Sequence, residues 1–297
     1  MTDLAPFSRR QFLSLVSLGA AALLPLPVLA QDDTPAPTVN IPPSLMLHSR
    51  ESREHFMGDV MAGIAQRGWE AITYLDYLQR AQTGLSVENT VLISIDDISC
   101  AAGNLSFEYF QRMYGWVRDG GGVATFGVIT EPDKPQDEAR WDILAGWVAE
   151  GFELATHTSN HLPFNAAEGG QRPDFSQADF TYEIADSARM IEQKMAERGL
   201  DYQVRTLITP FGSGWDRESA SVYEGVRAAC LEAGISFVVG IVDGRDPLPT
   251  ATLSEPDALA YVGRTPPGYP TNAEGVRTLD APLTLAYLEG WIKQWHA

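Results

Sequence analysis

Short apolar runs alternate with amphipathic stretches along most of the chain. Ser44, Leu45, Met46 and Leu47 read as a first buried strand that ends on His48, and Phe56, Val60 and Ile64, beside Met57 and Met61, mark one face of a helix that Gly68 ends. A strand at 69–72 and a helix at 74–81 lead to the run VLISI at 91–95. The same alternation continues with a helix at 107–117, a strand at 123–129, a helix at 141–149 and a strand at 152–155. After a Gly/Pro-rich loop at 165–173 comes a helix striped by Phe180, Ile184, Ile191 and Met195, then a strand at 204–209, a helix at 219–233 and a strand at 235–242. Strands alternating with helices imply parallel pairing with right-handed crossovers. About seven such units fit a closed or nearly closed barrel, and an open doubly wound sheet shares the pattern. Beyond Asp243 the pattern weakens, because Pro247, Pro249, Pro256, Pro266, Pro267 and Pro270 break up the sequence. A final helix is predicted over 283–295, with Leu285, Leu288 and Ile292 as its buried face.

The first 30 residues stand apart from this pattern. Ser8-Arg9-Arg10-Gln11-Phe12-Leu13 resembles a twin-arginine export signal, followed by an apolar stretch and the small-residue cleavage pattern Val28-Leu29-Ala30. The alternative is an uncleaved anchor, but Pro25 and Pro27 cut the apolar core to roughly a dozen residues, below the ~20 that span a bilayer. We therefore expect a signal at 1–30, a Pro-rich leader at 31–43 and one barrel domain at 44–297. The twin-arginine export machinery would be a transient partner, the mature protein would be periplasmic or extracellular, and no stable membrane insertion is expected after cleavage. An apolar fraction of 44% with 20% charged residues fits a folded domain. The formal charge of −18, without any Lys/Arg run, argues against nucleic acid and anionic lipid as partners. Cys100 and Cys230 are the only cysteines; an oxidising compartment permits a bridge between them, and two buried free thiols are the other reading.

Candidate chemistry sits at two strand ends. The run at 91–95 stops on Asp96 and Asp97, which read alone could be a turn. The strand at 152–155 delivers His157-Thr158-Ser159-Asn160-His161, two of only five histidines in the chain. Four residues apart on a helical turn, two imidazoles would face the same way and converge on one cation. The ends of strands are where open sheets and barrels place ligands. Two histidines and one carboxylate make a common hydrolytic metal shell that leaves a coordination position free.

At these residues the chain resembles the polysaccharide deacetylases, the NodB-like carbohydrate esterase family 4. Ser94-Ile95-Asp96-Asp97 is similar to the family's first motif TFDD, His157 to His161 matches its second, H[ST]xxH, and Ile208-Thr209-Pro210-Phe211-Gly212 meets its third, RxP[YF]G, in part. The resemblance implies a distorted (β/α)7 barrel, an α/β fold. It also implies that Asp97, His157 and His161 hold one divalent metal, Zn²⁺ by default with Co²⁺, Ni²⁺ or Fe²⁺ fitting the same ligands. Asp96 would be the general base, and the backbone N–H of Phe211 an oxyanion donor.

Three positions depart from the family pattern. Ile98 replaces the Gly that usually follows the paired aspartates, Ile208 replaces the Arg that would orient the base, and no His occurs between His161 and His296 to serve as the late catalytic acid. The late motif has the form LxH at the end of an apolar strand, and Leu45-Met46-Leu47-His48 has that form at the other end of the chain. This layout resembles the permuted periplasmic poly-N-acetylglucosamine deacetylases, and it implies that His48 protonates the leaving group. The function implied is removal of acetyl groups from N-acetylated sugars of an extracellular or cell-wall polysaccharide. Two other readings are a non-catalytic glycan-binding or assembly protein on the same fold and an O-acetyl polysaccharide esterase.

Overall fold

Aliphatic and β-branched residues at the predicted strand positions pair side by side into one eight-stranded sheet. The computed structural model describes residues 38–164, 175–216, 221–241, 250–252, 259–271, 275 and 277–294. The expected signal at 1–30, most of the leader and the Gly/Pro-rich loop expected at 165–173 lie outside these residues. In chain order the strands are β1 (Ser44–Leu47), β2 (Glu70–Ile72), β3 (Thr90–Ser99), β4 (Thr125–Ile129), β5 (Glu153–Thr156), β6 (Thr206–Ile208), β7 (Phe237–Ile241) and β8 (Ala260–Arg264).

All pairings in this sheet are parallel, in the order β8-β7-β6-β5-β4-β3-β1. Leu92 of β3 faces both Ser44 of β1 and Ile72 of β2, while Ile95 faces both Leu47 and Phe126 of β4. The short β2 and then β4 therefore line one edge of β3, with β1 on the other. Closure comes from the two ends of the chain: Met46 N–H donates to the Thr265 carbonyl at 2.9 Å, and Thr265 N–H donates to that of Ser44 at 2.8 Å. The result is a nearly closed barrel of seven parallel strands, the (β/α)7 architecture that the resemblance implies, rather than the open doubly wound sheet that the alternation also allows.

Helices α1 (Glu54–Gln66), α2 (Tyr74–Thr83), α3 (Phe107–Asp119) and α4 (Glu138–Ala149) follow β1 to β4. Local chemistry sets their ends. The Thr73 hydroxyl accepts the Asp76 N–H at 3.0 Å at the start of α2, and Gly84, at φ +68, ends it in the left-handed conformation that glycine adopts without strain. After β5 come α5 (Gln177–Phe180), a π-turn (Thr181–Asp186) and α6 (Ser187–Ala196); α7 (Glu224–Glu232) precedes β7 and α8 (Ala281–Gln294) ends the described chain. Among the described residues no helix is long and apolar enough to cross a membrane.

The core has two layers. Val91, Ile93 and Ile95 of β3 point outward to pack on the helices, whereas Leu92 joins Ile208, Val239 and Val262 inside the barrel. Because strand side chains alternate, Ser94 and Asp96 share the interior face of Leu92, and Arg264 shares that of Val262.

Two expectations need correction. The helix predicted from 219 starts only at Glu224, because Ser221–Val222 pairs antiparallel with Trp215–Asp216. The region beyond Asp243 holds a barrel strand, β8, since Pro256 and Pro266 bracket the run 260–264 instead of interrupting it. Cys100 and Cys230 are buried, unbridged thiols whose pKa values burial pushes up.

Candidate active site

Strand β3 does not stop at the paired aspartates; it runs on to Ser99 across a register shift between Ile95 and Ile98. That bulge resolves how two adjacent acids can serve one site. Asp96 keeps the strand's alternation and points into the barrel, 2% exposed. Asp97 sits at φ +71, a left-handed backbone that turns its carboxylate toward the mouth at the strands' C-terminal ends.

The residue that meets Asp96 belongs to none of the sequence motifs. Arg264, at the end of β8 and 1% exposed, sets Nη1 2.6 and 2.8 Å from the two Asp96 oxygens and 2.9 Å from Ser94 Oγ, while its Nε donates to the Gly240 carbonyl at 3.1 Å. Barrel closure brings this guanidinium to Asp96 from the far end of the chain. Ile208, where the family has its Arg, plays a different part. Its side chain fills the barrel interior and its carbonyl accepts from the His157 ring at 2.8 Å.

A carbonyl can only accept, so His157 Nδ1 carries the proton and Nε2 presents a lone pair. That lone pair lies 3.2 Å from Asp97 Oδ1, and His161 Nε2 lies 3.3 Å from the same oxygen. The ligand atoms of all three residues fall within 4.8 Å of one another. Gathered this closely, the three can share one cation. A tetrahedral site with metal–ligand distances of about 2.0–2.1 Å has edges of about 3.3 Å, so the donor set and its spacing fit a divalent metal.

The histidines do not converge by helical spacing, as the sequence suggested. Residues 157–161 form a loop in which Thr158 (φ +69) and His161 (φ +57) are left-handed, and the two rings stack obliquely with centroids 4.6 Å apart. Burial and then the neighbouring His157 push the His161 pKa down to about 4, which leaves its nitrogen free to ligate at neutral pH.

His48 follows β1, whose Leu47 pairs with Ile95, so it lies beside Asp96 on the neighbouring strand. Its backbone N–H donates to Glu51 Oε2 at 2.5 Å, and its Nδ1 stands 3.7 Å from the same oxygen, an ion-pair distance rather than a hydrogen bond. The fully buried Glu51 also accepts from Arg50 Nε at 2.7 Å and from the Tyr269 hydroxyl. Burial lowers the His48 pKa, but Glu51, Asp96 and Asp97 together outweigh it and leave the value raised. Phe211, at φ +56 in the turn Pro210–Gly212, is 44% exposed and lays its ring 4.8 Å from that of His161.

All six site residues expected from the sequence thus stand at the C-terminal ends of strands, around one mouth. Arg264 and Glu51 are the additions. Ala260-Tyr261-Val262-Gly263-Arg264 is an apolar run ending on a charged residue, the same form that drew attention to His48. Glu51 carried no signal apart from its spacing of three from His48.

The sequence profile of polysaccharide deacetylases matches residues 86–228, a span that holds the Asp-Asp, His-Thr-Ser-Asn-His and Pro-Phe-Gly segments. No curated protein matches the chain in sequence. In fold, the chain is similar to the Streptococcus pyogenes deacetylase PplD, solved in complex with acetate, with a TM-score of 0.57 and 12% identity over 86% of this chain and 99% of that one.

Proposed function

Because the chain carries a polysaccharide deacetylase domain, we propose that it is a metal-dependent hydrolase that removes acetyl groups from N-acetylated sugars of an extracellular or cell-wall polysaccharide. The observation that carries this reading is the convergence of two imidazole nitrogens on one oxygen of Asp97. Asp97, His157 and His161 would hold the cation, with Zn²⁺ the default for two nitrogens and one carboxylate and Co²⁺, Ni²⁺ or Fe²⁺ compatible. When bound, such a cation supplies Lewis acidity that acidifies water and polarises the acetyl carbonyl.

The chain's own groups do the rest. Asp96, held by Arg264, accepts a proton as the water oxygen bonds to the carbonyl carbon. The Phe211 backbone N–H donates to the oxygen on which negative charge develops. His48, kept protonated by the carboxylates around it, gives its proton to the sugar nitrogen as the C–N bond breaks, releasing acetate and a free amine. Arg264 touches no reacting atom in this scheme; it is a positioning residue. The Arg-Arg signal in the first 30 residues supports export by the twin-arginine route to the compartment where such polymers lie.

Metal content and acetate release from chitooligosaccharides, measured together, test this reading. Wild type and Asp96→Asn should both bind metal, His157→Ala should not, and Asp96→Asn should release acetate about 10²–10⁴-fold more slowly than wild type. A folded wild type that takes up no Zn²⁺ or Co²⁺ overturns the hydrolase reading. Metal binding without acetate release from any N-acetylated glycan favours the glycan-binding alternative.

A further inference from the structure

The metal ligands are held in unequal ways. His157 is fixed at its ring, through the Ile208 carbonyl, whereas the orientation of His161 depends on a loop backbone with two left-handed residues. Such a backbone persists only where its surroundings over-determine it. On one side, Thr130 N–H and Glu131 N–H, just beyond β4, donate to the Thr158 and Ser159 carbonyls at 3.2 and 2.9 Å. On the other side the loop meets the π-turn between α5 and α6.

A π-turn widens the helix and disturbs its hydrogen-bond ladder, which frees carbonyls for outside partners. The Tyr182 carbonyl accepts from Ser159 Oγ at 2.8 Å, and the Glu183 carbonyl accepts from Ser159 N–H at 3.0 Å. The Glu183 side chain, 3% exposed, turns both oxygens to one residue: Oε2 accepts the Asn160 N–H at 2.9 Å and Oε1 accepts Asn160 Nδ2 at 2.8 Å. Asn160 directly precedes His161. A buried carboxylate is thereby committed to the segment that aims the second imidazole, and it is supplied by an element that otherwise has no part in the site.

We propose that Glu183 is a positioning residue of the metal centre: by clamping Asn160 through both of its donors it sets the backbone that turns His161 Nε2 onto Asp97. The inference rests on the metal-centre reading above. It extends the centre to a helix that the His-x-x-x-His motif does not contain. Ligand-orienting partners of this kind typically govern metal affinity by 10–100-fold.

Competition of Zn²⁺ between the full-length protein and a chromophoric chelator tests it, with melting of the metal-free proteins as a separate measure of folding. Glu183→Leu removes both acceptors and should weaken Zn²⁺ binding about 10–100-fold. Glu183→Gln keeps an acceptor for the Asn160 N–H and can donate its NH₂ to Asn160 Oδ1 once that side-chain amide turns over, so it should stay within a few-fold of wild type. Asn160→Ala, at an exposed position, should fold normally and still bind Zn²⁺ more weakly. Wild-type affinity in a folded Glu183→Leu or Asn160→Ala overturns the proposal, as does a folded Glu183→Gln that binds no better than Glu183→Leu. A wild type that binds no Zn²⁺ is a different failure: it removes the metal centre itself, and this inference with it.

Discussion

Each end of the barrel buries a carboxylate, and the two are satisfied in opposite ways. At the N-terminal end Glu153, the first residue of β5, accepts from Thr206 Oγ1 at 2.6 Å, Thr125 Oγ1 at 2.8 Å and Leu75 N–H at 3.0 Å, all neutral donors. Burial there pushes its pKa up. At the C-terminal end Asp96 faces a guanidinium, and Asp97 faces two imidazole nitrogens. Among the described residues, five of the six non-glycine residues at positive φ, Asp97, Glu131, Thr158, His161 and Phe211, lie at this end, and only Asn89 lies at the other. Burial of an acid therefore does not mark a site. What marks it is backbone held against its preference so that metal-ligating side chains converge.

If that distinction is right, removing the cation beside Asp96 should have the largest effect. Arg264→Met leaves a buried carboxylate without its counter-charge, and should lower stability by roughly 3–5 kcal/mol while abolishing acetate release. Arg264→Lys keeps the charge but loses the Nε bond to Gly240, so it should fold and turn over more slowly. Chemical denaturation and acetate release read the two effects separately. An Arg264→Met protein as stable and as active as wild type would mean that this end of the barrel is satisfied no differently from the other.

A smaller effect sharpens the comparison at His48. Burial opposes its charge, and Glu51, with Asp96 and Asp97, overcomes that opposition. A general acid works only while protonated, so a raised pKa carries activity further into alkaline pH. Glu51→Gln removes part of what raises it, and the alkaline limb of the pH–rate profile for acetate release should move to lower pH. An unmoved limb, or one shifted upward, would remove His48 as the proton donor whose state Glu51 sets.

Much of this was readable because the strands announce themselves. The runs ending at Asp96 and at Ala155 gave the barrel and the two motifs, and the form of Leu45-Met46-Leu47-His48 pointed to a partner from the chain's start. What escaped depends on tertiary context. The spacing of His157 and His161 suggests a helical turn, yet the residues between are held open by β4's extension and by Glu183, neither of which a local window contains. The bulge at Asp97 follows from pairing with β4 and has no signature in VLISIDDISC. Prolines on both sides of 260–264 hid β8, and with it the guanidinium that explains why Ile208 can stand where an Arg was expected. Glu183 reads as one more polar residue on a striped helix, because a π-turn has no sequence period of its own.

The smallest expected effect lies at the quiet end. Burial raises the Glu153 pKa above its ordinary 4.5, and the bonds from Thr206, Leu75 and Thr125 offset only part of that. A carboxyl whose folded pKa lies above its unfolded one contributes stability that is fully present below the unfolded pKa and is lost as pH rises through the folded value. Wild type should therefore lose some stability as pH rises from about 4.5 toward that value, whereas Glu153→Gln, which cannot ionise, should show a flatter dependence across the same window. The amide oxygen can still accept the Leu75 N–H, and the threonine hydroxyls can rotate to donate or accept, so the variant should fold. No group assigned to the reaction touches Glu153, so acetate release at neutral pH should be unchanged. Melting temperatures of both proteins across this pH range, with activity measured beside them, decide the matter. A folded Glu153→Gln that has lost activity would show that the buried acid at this end also serves the chemistry, and the contrast between the two ends would fail.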